Sequence, residues 1–149
     1  MQGSLRVLIV EDEALLLMQL EAFLEEAGHV VVGDAVSSRE ATTLATAVEA
    51  DLALVDIHLA DGPTGVEVGR FITERTGMAV VFMTANPKRI PDDFSGAIGV
   101  IAKPYTLEGF KSALSYLAGA VGNPPPIGNL PRSLMLSPKY AQRWVSAKG

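Results

Sequence analysis

The sequence has no cysteine, which excludes disulfides and cysteine-ligated metals or clusters. It has no long apolar run either: the longest are five or six residues, far short of the roughly 20 that cross a bilayer. No positively charged leader followed by an apolar stretch opens the chain, so the cytoplasm is the expected location. Basic residues are the minority charge, 12 Lys and Arg against 17 Asp and Glu, for a net charge of -5. Neutralising nucleic-acid phosphates takes clustered Lys and Arg, so general nucleic-acid binding is not expected. What remains is a 149-residue chain, 48% apolar, the size of one compact domain with a modest appendage and too apolar for wholesale disorder.

The charge is unevenly placed. Residues 1 to 118 hold eight Lys and Arg and all 17 Asp and Glu, a balance of -9, whereas residues 119 to 149 hold only Arg132, Lys139, Arg143 and Lys148, a balance of +4. The change falls at Gly119-Ala-Val-Gly-Asn-Pro-Pro-Pro126, where three successive prolines offer no backbone donor. The reading is a body over 1–118 and a Pro-rich basic tail over 119–149.

Along the body, short β-branched runs alternate with amphipathic segments. Leu5 to Val10 reads as a buried strand, and Leu16, Leu20, Phe23, Leu24 and Ala27 follow at helical spacing until Gly28. Val30 to Val36 is a second strand. Ser37-Ser-Arg-Glu40 is a capping box that opens a helix to about Ala50. Leu52 to Val55 is a third strand ending at Asp56, followed by a loop and a helix through Arg75. Ala79 to Met83 and Val100 to Ala102 are the remaining strands, and a last helix from Thr106 repeats Leu107, Phe110, Leu114, Leu117 and Val121 on one face. Only 15 residues separate Thr84 from Val100, with Pro87, Pro91 and Gly96 among them, so the helix due between those strands is short or absent. Strands apolar on both faces and separated by helices imply an α/β fold with a doubly wound, five-stranded parallel sheet. In such a sheet the site lies beyond the carboxyl ends of the strands.

Those ends carry chemistry. The first strand runs into Glu11-Asp12-Glu13, the third ends in Asp56, the fourth in Thr84 and the fifth in Lys103-Pro104. A nucleotide-phosphate fold would place glycines after the first strand, and this chain places carboxylates there. Carboxylates converging on one rim repel one another unless a hard divalent cation sits among them, and Mg2+ is the expected ion. Asp12, Asp56 and a loop carbonyl, with Glu11 direct or through water, would suffice to hold it. Lys103 adds a second positive charge and Thr84 a hydroxyl donor. This set stabilises a transferring phosphoryl group, with Asp56 as the nucleophile at the head of the loop Asp61-Gly-Pro-Thr-Gly65.

Val10-Glu-Asp-Glu13, Leu54-Val-Asp56-Ile57, Met83-Thr84-Ala85 and Lys103-Pro-Tyr105, in that order and at these distances, resemble the receiver domain of two-component response regulators over residues 5 to 118. The resemblance implies a flavodoxin-like strand order of 2-1-3-4-5 and a regulator that is not an enzyme, although it catalyses its own phosphorylation and dephosphorylation. It implies Asp56 as phosphoacceptor, Glu11 and Asp12 as the metal-binding acidic pair with Asp56 and the His58 backbone carbonyl completing the site, Thr84 as the hydroxyl that follows the phosphoryl group, and Lys103 as its charged partner. A cis Lys103-Pro104 bond is implied as well. The partners implied are a histidine kinase or phosphotransfer protein and a downstream protein, with no direct DNA binding and no membrane, and receivers often form a homodimer through the region of the last helix. The missing helix resembles a subgroup found among alphaproteobacterial regulators.

Besides the reduced fourth helix, two positions depart from the common pattern. Val100 stands where many receivers keep a switching aromatic, and Tyr105 is the nearest residue to take over that role. Ala60 stands where proline is common, in a loop one residue longer than usual. His58 and Asn86 occupy positions that tune phosphoryl lifetime in the family, with the His58 side chain expected to face solvent. A dehalogenase-type phosphatase would need a second Asp two residues after Asp56, where this chain has His58. A non-phosphorylated pseudo-receiver and a receiver piece of a longer regulator are the alternatives. The tail is too short to bury its own core. Ser137-Pro138 marks a short helix near 138–147, and the tail is either a loose extension or docks Leu134, Leu136, Tyr140 and Trp144 on the body of the same or a neighbouring molecule.

Overall fold

The computed structural model describes residues 3–145. β1 (Arg6–Val10) passes through the acidic turn into α1 (Ala14–Glu26). β2 (Val30–Ala35) leads to α2 (Ser38–Ala47), and β3 (Leu52–Asp56) to α3 (Gly65–Arg75). β4 (Ala79–Thr84) is followed by β5 (Gly99–Ala102) and α4 (Leu107–Gly122). Helix starts follow the side chains present: Ser37 Oγ accepts from Glu40 N at the head of α2, and Thr106 Oγ1 accepts from Gly109 N at the head of α4.

The sheet runs β2-β1-β3-β4-β5 with all pairs parallel, the expected flavodoxin-like order. Its central strands are buried on both faces, which is why they read as unbroken apolar runs. Val7, Ile9, Leu54, Val81 and Ile101 face a core with α1 and α4, through Leu20, Leu24, Phe110, Leu114 and Leu117. The alternate residues Leu8, Val10, Val55, Phe82 and Val100 face a second core with α2 and α3, through Ala41, Ala45, Val68 and Ile72. Between β4 and β5 there is no α-helix, only two 3-10 turns at Pro87–Arg89 and Phe94–Gly96. Asp93 fastens the second of them, accepting from Ser95 N at 2.9 Å and from Arg70 at 3.3 Å.

The C-terminal residues differ from the expected separation into body and tail. The break at 119 is not observed, because α4 continues to Gly122. Residues 134–136 then form β6 (Leu134–Leu136), a sixth strand antiparallel to β5. α5 (Pro138–Trp144) follows, with Ser137 Oγ accepting from Tyr140 N; the expected end of this helix, 146–147, lies outside the described residues. The loose extension is thus replaced by docking on the same molecule. The physical reason is a period-two pattern: Leu134 and Leu136 are buried and Met135 points out. Gly99 admits the strand, since a Cβ there would lie 2.3 Å from the Met135 carbonyl oxygen. Ser133 Oγ donates to Gly109 O at 2.6 Å, and Trp144 packs edge-on against Tyr116 at 6.4 Å. The apolar face of α4 is consumed by the sheet and this segment, and none of the exposed large apolar side chains among the described residues lies on α4.

Candidate functional site

Strand register places the acidic residues. β1 and β3 are neighbours with Val10 opposite Val55, so the residue after each strand position, Glu11 and Asp56, emerges side by side at the carboxyl edge. Glu11 N donates to Ala35 O at 2.9 Å, which continues the β2 pairing one residue past β1. Asp12 follows at the exposed mouth, and carboxylate oxygens of Glu11, Asp12 and Asp56 all lie within 4.8 Å of one another. Among the described residues no other group of three His, Asp or Glu side chains converges in this way. Glu11 and Asp56 are 1% and 7% exposed, so a buried acidic pair faces an open third carboxylate.

β4 and β5 complete the rim. Asp56 is level with Met83, so Thr84 stands one residue further along the adjacent strand, and Lys103 N donates to Thr84 O at 2.9 Å. The Lys103 ammonium reaches back across the sheet to Glu11 Oε1 at 3.0 Å and Asp56 Oδ2 at 3.2 Å. Burial pushes the Glu11 carboxyl up to about 7, with Asp56 adding to the effect and bonds from Glu13 N and Lys103 opposing it. Burial also works against the Lys103 ammonium, but Asp56 and Glu11 outweigh it and hold its pKa above the ordinary value. Thr84 Oγ1 accepts from Asn86 N at 3.0 Å, an arrangement that leaves the hydroxyl proton free to turn to a ligand. The Lys103-Pro104 bond is cis, as expected.

The loop after Asp56 is more tightly held than its glycines suggest. Gly65 N donates to Ile57 O at 2.8 Å, and a Cβ on Gly65 would collide with the Asp56 carbonyl oxygen at 2.0 Å. Asp61 accepts from Ser38 N at 3.1 Å, from the Ser38 hydroxyl and from the Thr64 hydroxyl at 2.8 Å, bonds that hold its carboxyl at about 2. The loop is therefore clasped to the start of α2. The His58 side chain is exposed. Sequence reasoning read Asp61 only as part of an accessible turn; its place before Gly62, which has φ +112°, is the usual signature of a tight turn and says nothing of the Ser38 partner.

Glu11, Asp12, Asp56, Thr84 and Lys103 are thus brought together. Three carboxylates offering hard oxygen donors, two of them buried, suit a small divalent cation and no soft metal. A doubly wound parallel sheet carrying an acidic cluster, a hydroxyl and a lysine at its carboxyl edge defines a class of regulatory domain rather than a nucleotide-binding one. The chain belongs to the response regulator receiver domain family, whose model matches residues 7–115.

The phyllosphere-induced regulator PhyR of Methylorubrum extorquens is 38% identical over 101 residues, covering 66% of this chain and 38% of that protein. The solution structure of the Erythrobacter litoralis PhyR receiver domain superposes with a TM-score of 0.70 at 31% identity, over 85% of this chain and 98% of that one. The crystal structure of the anti-anti-sigma factor PhyR from Bartonella quintana gives a TM-score of 0.64 at 32% identity, over 74% of this chain and 45% of that one. The chain therefore spans less than half of the full-length PhyR proteins. These PhyR-type relatives agree with the subgroup expected from the missing helix, and the chain is a regulatory domain, not an enzyme. No helix among the described residues is long and apolar enough to cross a membrane.

Proposed function

We propose that this protein is a phosphoacceptor response regulator of a His-Asp phosphorelay, phosphorylated on Asp56 and working in the cytoplasm. The observation that carries this reading is the Lys103 ammonium held between Glu11 and Asp56 at one edge of an acidic cluster whose third member, Asp12, is open to solvent. Glu11, Asp12, Asp56 and the His58 backbone carbonyl would hold Mg2+, which would supply charge neutralisation on the incoming phosphoryl group.

An Asp56 carboxylate oxygen attacks phosphorus of a phosphohistidine on a histidine kinase or phosphotransfer protein. The O–P bond forms, the N–P bond breaks, and the leaving imidazole nitrogen takes a proton from solvent. Lys103 and the Thr84 hydroxyl bind the phosphoryl oxygens, and Gly65 lets α3 start against the backbone of Asp56. Leu15 and Met18, both exposed on the first turns of α1 directly after Asp12, form an apolar flank on which the donor protein can dock. Output is by contact with a downstream protein, in keeping with an acidic body and the anti-anti-sigma role named for the Bartonella PhyR.

Incubation with Mg2+ and acetyl phosphate followed by intact-mass spectrometry tests the reading. One phosphoryl mass is expected on the wild type and none on Asp56→Asn; no gain on the wild type, or an equal gain on the variant, refutes it.

A further inference from the structure

Where α5 meets the body, the chain leaves a cleft of about 340 Å3 whose two sides come from distant parts of the sequence. Met78, Ile98 and Val121 line it from the body, just before β4, just before β5 and near the end of α4. Tyr140, Arg143 and Trp144 line it from α5. The cleft therefore lies at the amino-terminal pole of the sheet, opposite the edge that bears Asp56, and shares no residue with the acidic cluster.

Its walls are apolar and aromatic, and the charge on them is of one sign. Trp144 is buried, edge-on to Tyr116 and 4.8 Å from the Tyr140 ring. Arg143 is exposed and stacks over Tyr140 at 5.4 Å, with the Lys139 ammonium 5.5 Å from the same ring. No Asp or Glu lines the cleft, and residues 119–149 contain none. Among the described residues Arg143 forms no salt bridge. An apolar cleft with one uncompensated guanidinium at its edge selects a ligand with an apolar body and a single anionic end. The planar guanidinium fits a carboxylate through two parallel hydrogen bonds.

We propose that this cleft binds a small carboxylate with an apolar body, its carboxylate paired with Arg143 and its body lodged between Trp144 and the side formed by Met78, Ile98 and Val121. Because α5 is one wall, the ligand binds only a chain whose C-terminal segment is docked, and by mass action it holds β6 and α5 on the body. The site works independently of phosphorylation on Asp56.

Octanoate is the probe, and Trp144, the one tryptophan of the chain, is the reporter. Titration of the full chain is expected to change Trp144 emission saturably and to slow proteolysis within 123–133. Arg143→Gln is expected to bind octanoate about tenfold more weakly, the fold-change of one charge-assisted hydrogen bond. 1-Octanol, which has the same apolar body without the charge, is expected to show a similar deficit on the wild type. Val121→Phe, which fills the cleft from the half-buried end of α4, is expected to abolish the response. An emission change that does not saturate, or no change at all, overturns the proposal. Octanol binding as tightly as octanoate, or Arg143→Gln matching the wild type, overturns it as well, because the anion contact is then missing. The comparison of octanoate with octanol uses the wild type alone, so it decides the matter even if a variant fails to fold.

Discussion

The Lys103 ammonium donates to Glu11 Oε1 at 3.0 Å from a strand three positions away in the sheet, and the glutamate it holds is almost fully buried. The same ammonium lies 3.2 Å from Asp56, so one cation stabilises two carboxylates that would otherwise repel each other.

Replacing Lys103 by methionine leaves that pair buried without a counter-charge. Breaking a buried pair by removing one partner costs about 3 kcal/mol at the lower end of the usual range. Urea unfolding in EDTA is expected to show a loss of that order for Lys103→Met, and added Mg2+ is expected to recover part of it by supplying the missing positive charge.

The raised Glu11 pKa sets a pH window. Its folded value of about 7 lies above its ordinary 4.5, so the folded chain binds this proton more tightly than the unfolded chain does. The stability that the proton confers is complete below 4.5 and is lost as pH rises through about 7. Cation binding needs the carboxylate, so it expels the proton inside that window. Melting curves between about pH 5 and pH 8 are expected to show the metal-free protein losing stability as pH rises, and Mg2+ stabilising it progressively more. Glu11→Gln is expected to remove the slope.

Gly99 decides whether the C-terminal segment stays on the sheet. In Gly99→Ala the new methyl meets the Met135 carbonyl at 2.3 Å, a backbone atom that cannot swing aside. Overpacking of this kind costs roughly 1–3 kcal/mol, and here it falls on β6 rather than on the two main cores. The expected result is red-shifted Trp144 emission and proteolysis within 123–133, with the body still folded. Gly122→Ala, which meets nothing within 4 Å, is the control and is expected to leave both readings unchanged.

Much of this was legible in the residues. β3 and β4 are apolar at every position because they are buried on two faces, and their terminal Asp56 and Thr84 stand out as the first polar groups after such runs. The crowding of Pro87, Pro91 and Gly96 foretold the missing helix through proline's lost donor and fixed φ. The tail was harder. Leu134-Met135-Leu136 is a strand of only three residues, too few to outweigh five nearby prolines without knowing that Gly99 leaves a gap opposite Met135. Asp61 was opaque for a related reason: its partner Ser38 lies on a distant segment, and no local spacing reports whether a carboxylate finds one.

The central claim is that Asp56 carries the phosphoryl group, and an acyl phosphate has a chemical signature of its own. After incubation with Mg2+ and acetyl phosphate, borohydride reduction followed by peptide mapping converts a phosphorylated aspartate into homoserine. The account predicts homoserine at position 56 alone, dependent on Mg2+ and on the phosphodonor. Homoserine at another aspartate, or none at 56 under conditions that load a known receiver, would contradict it.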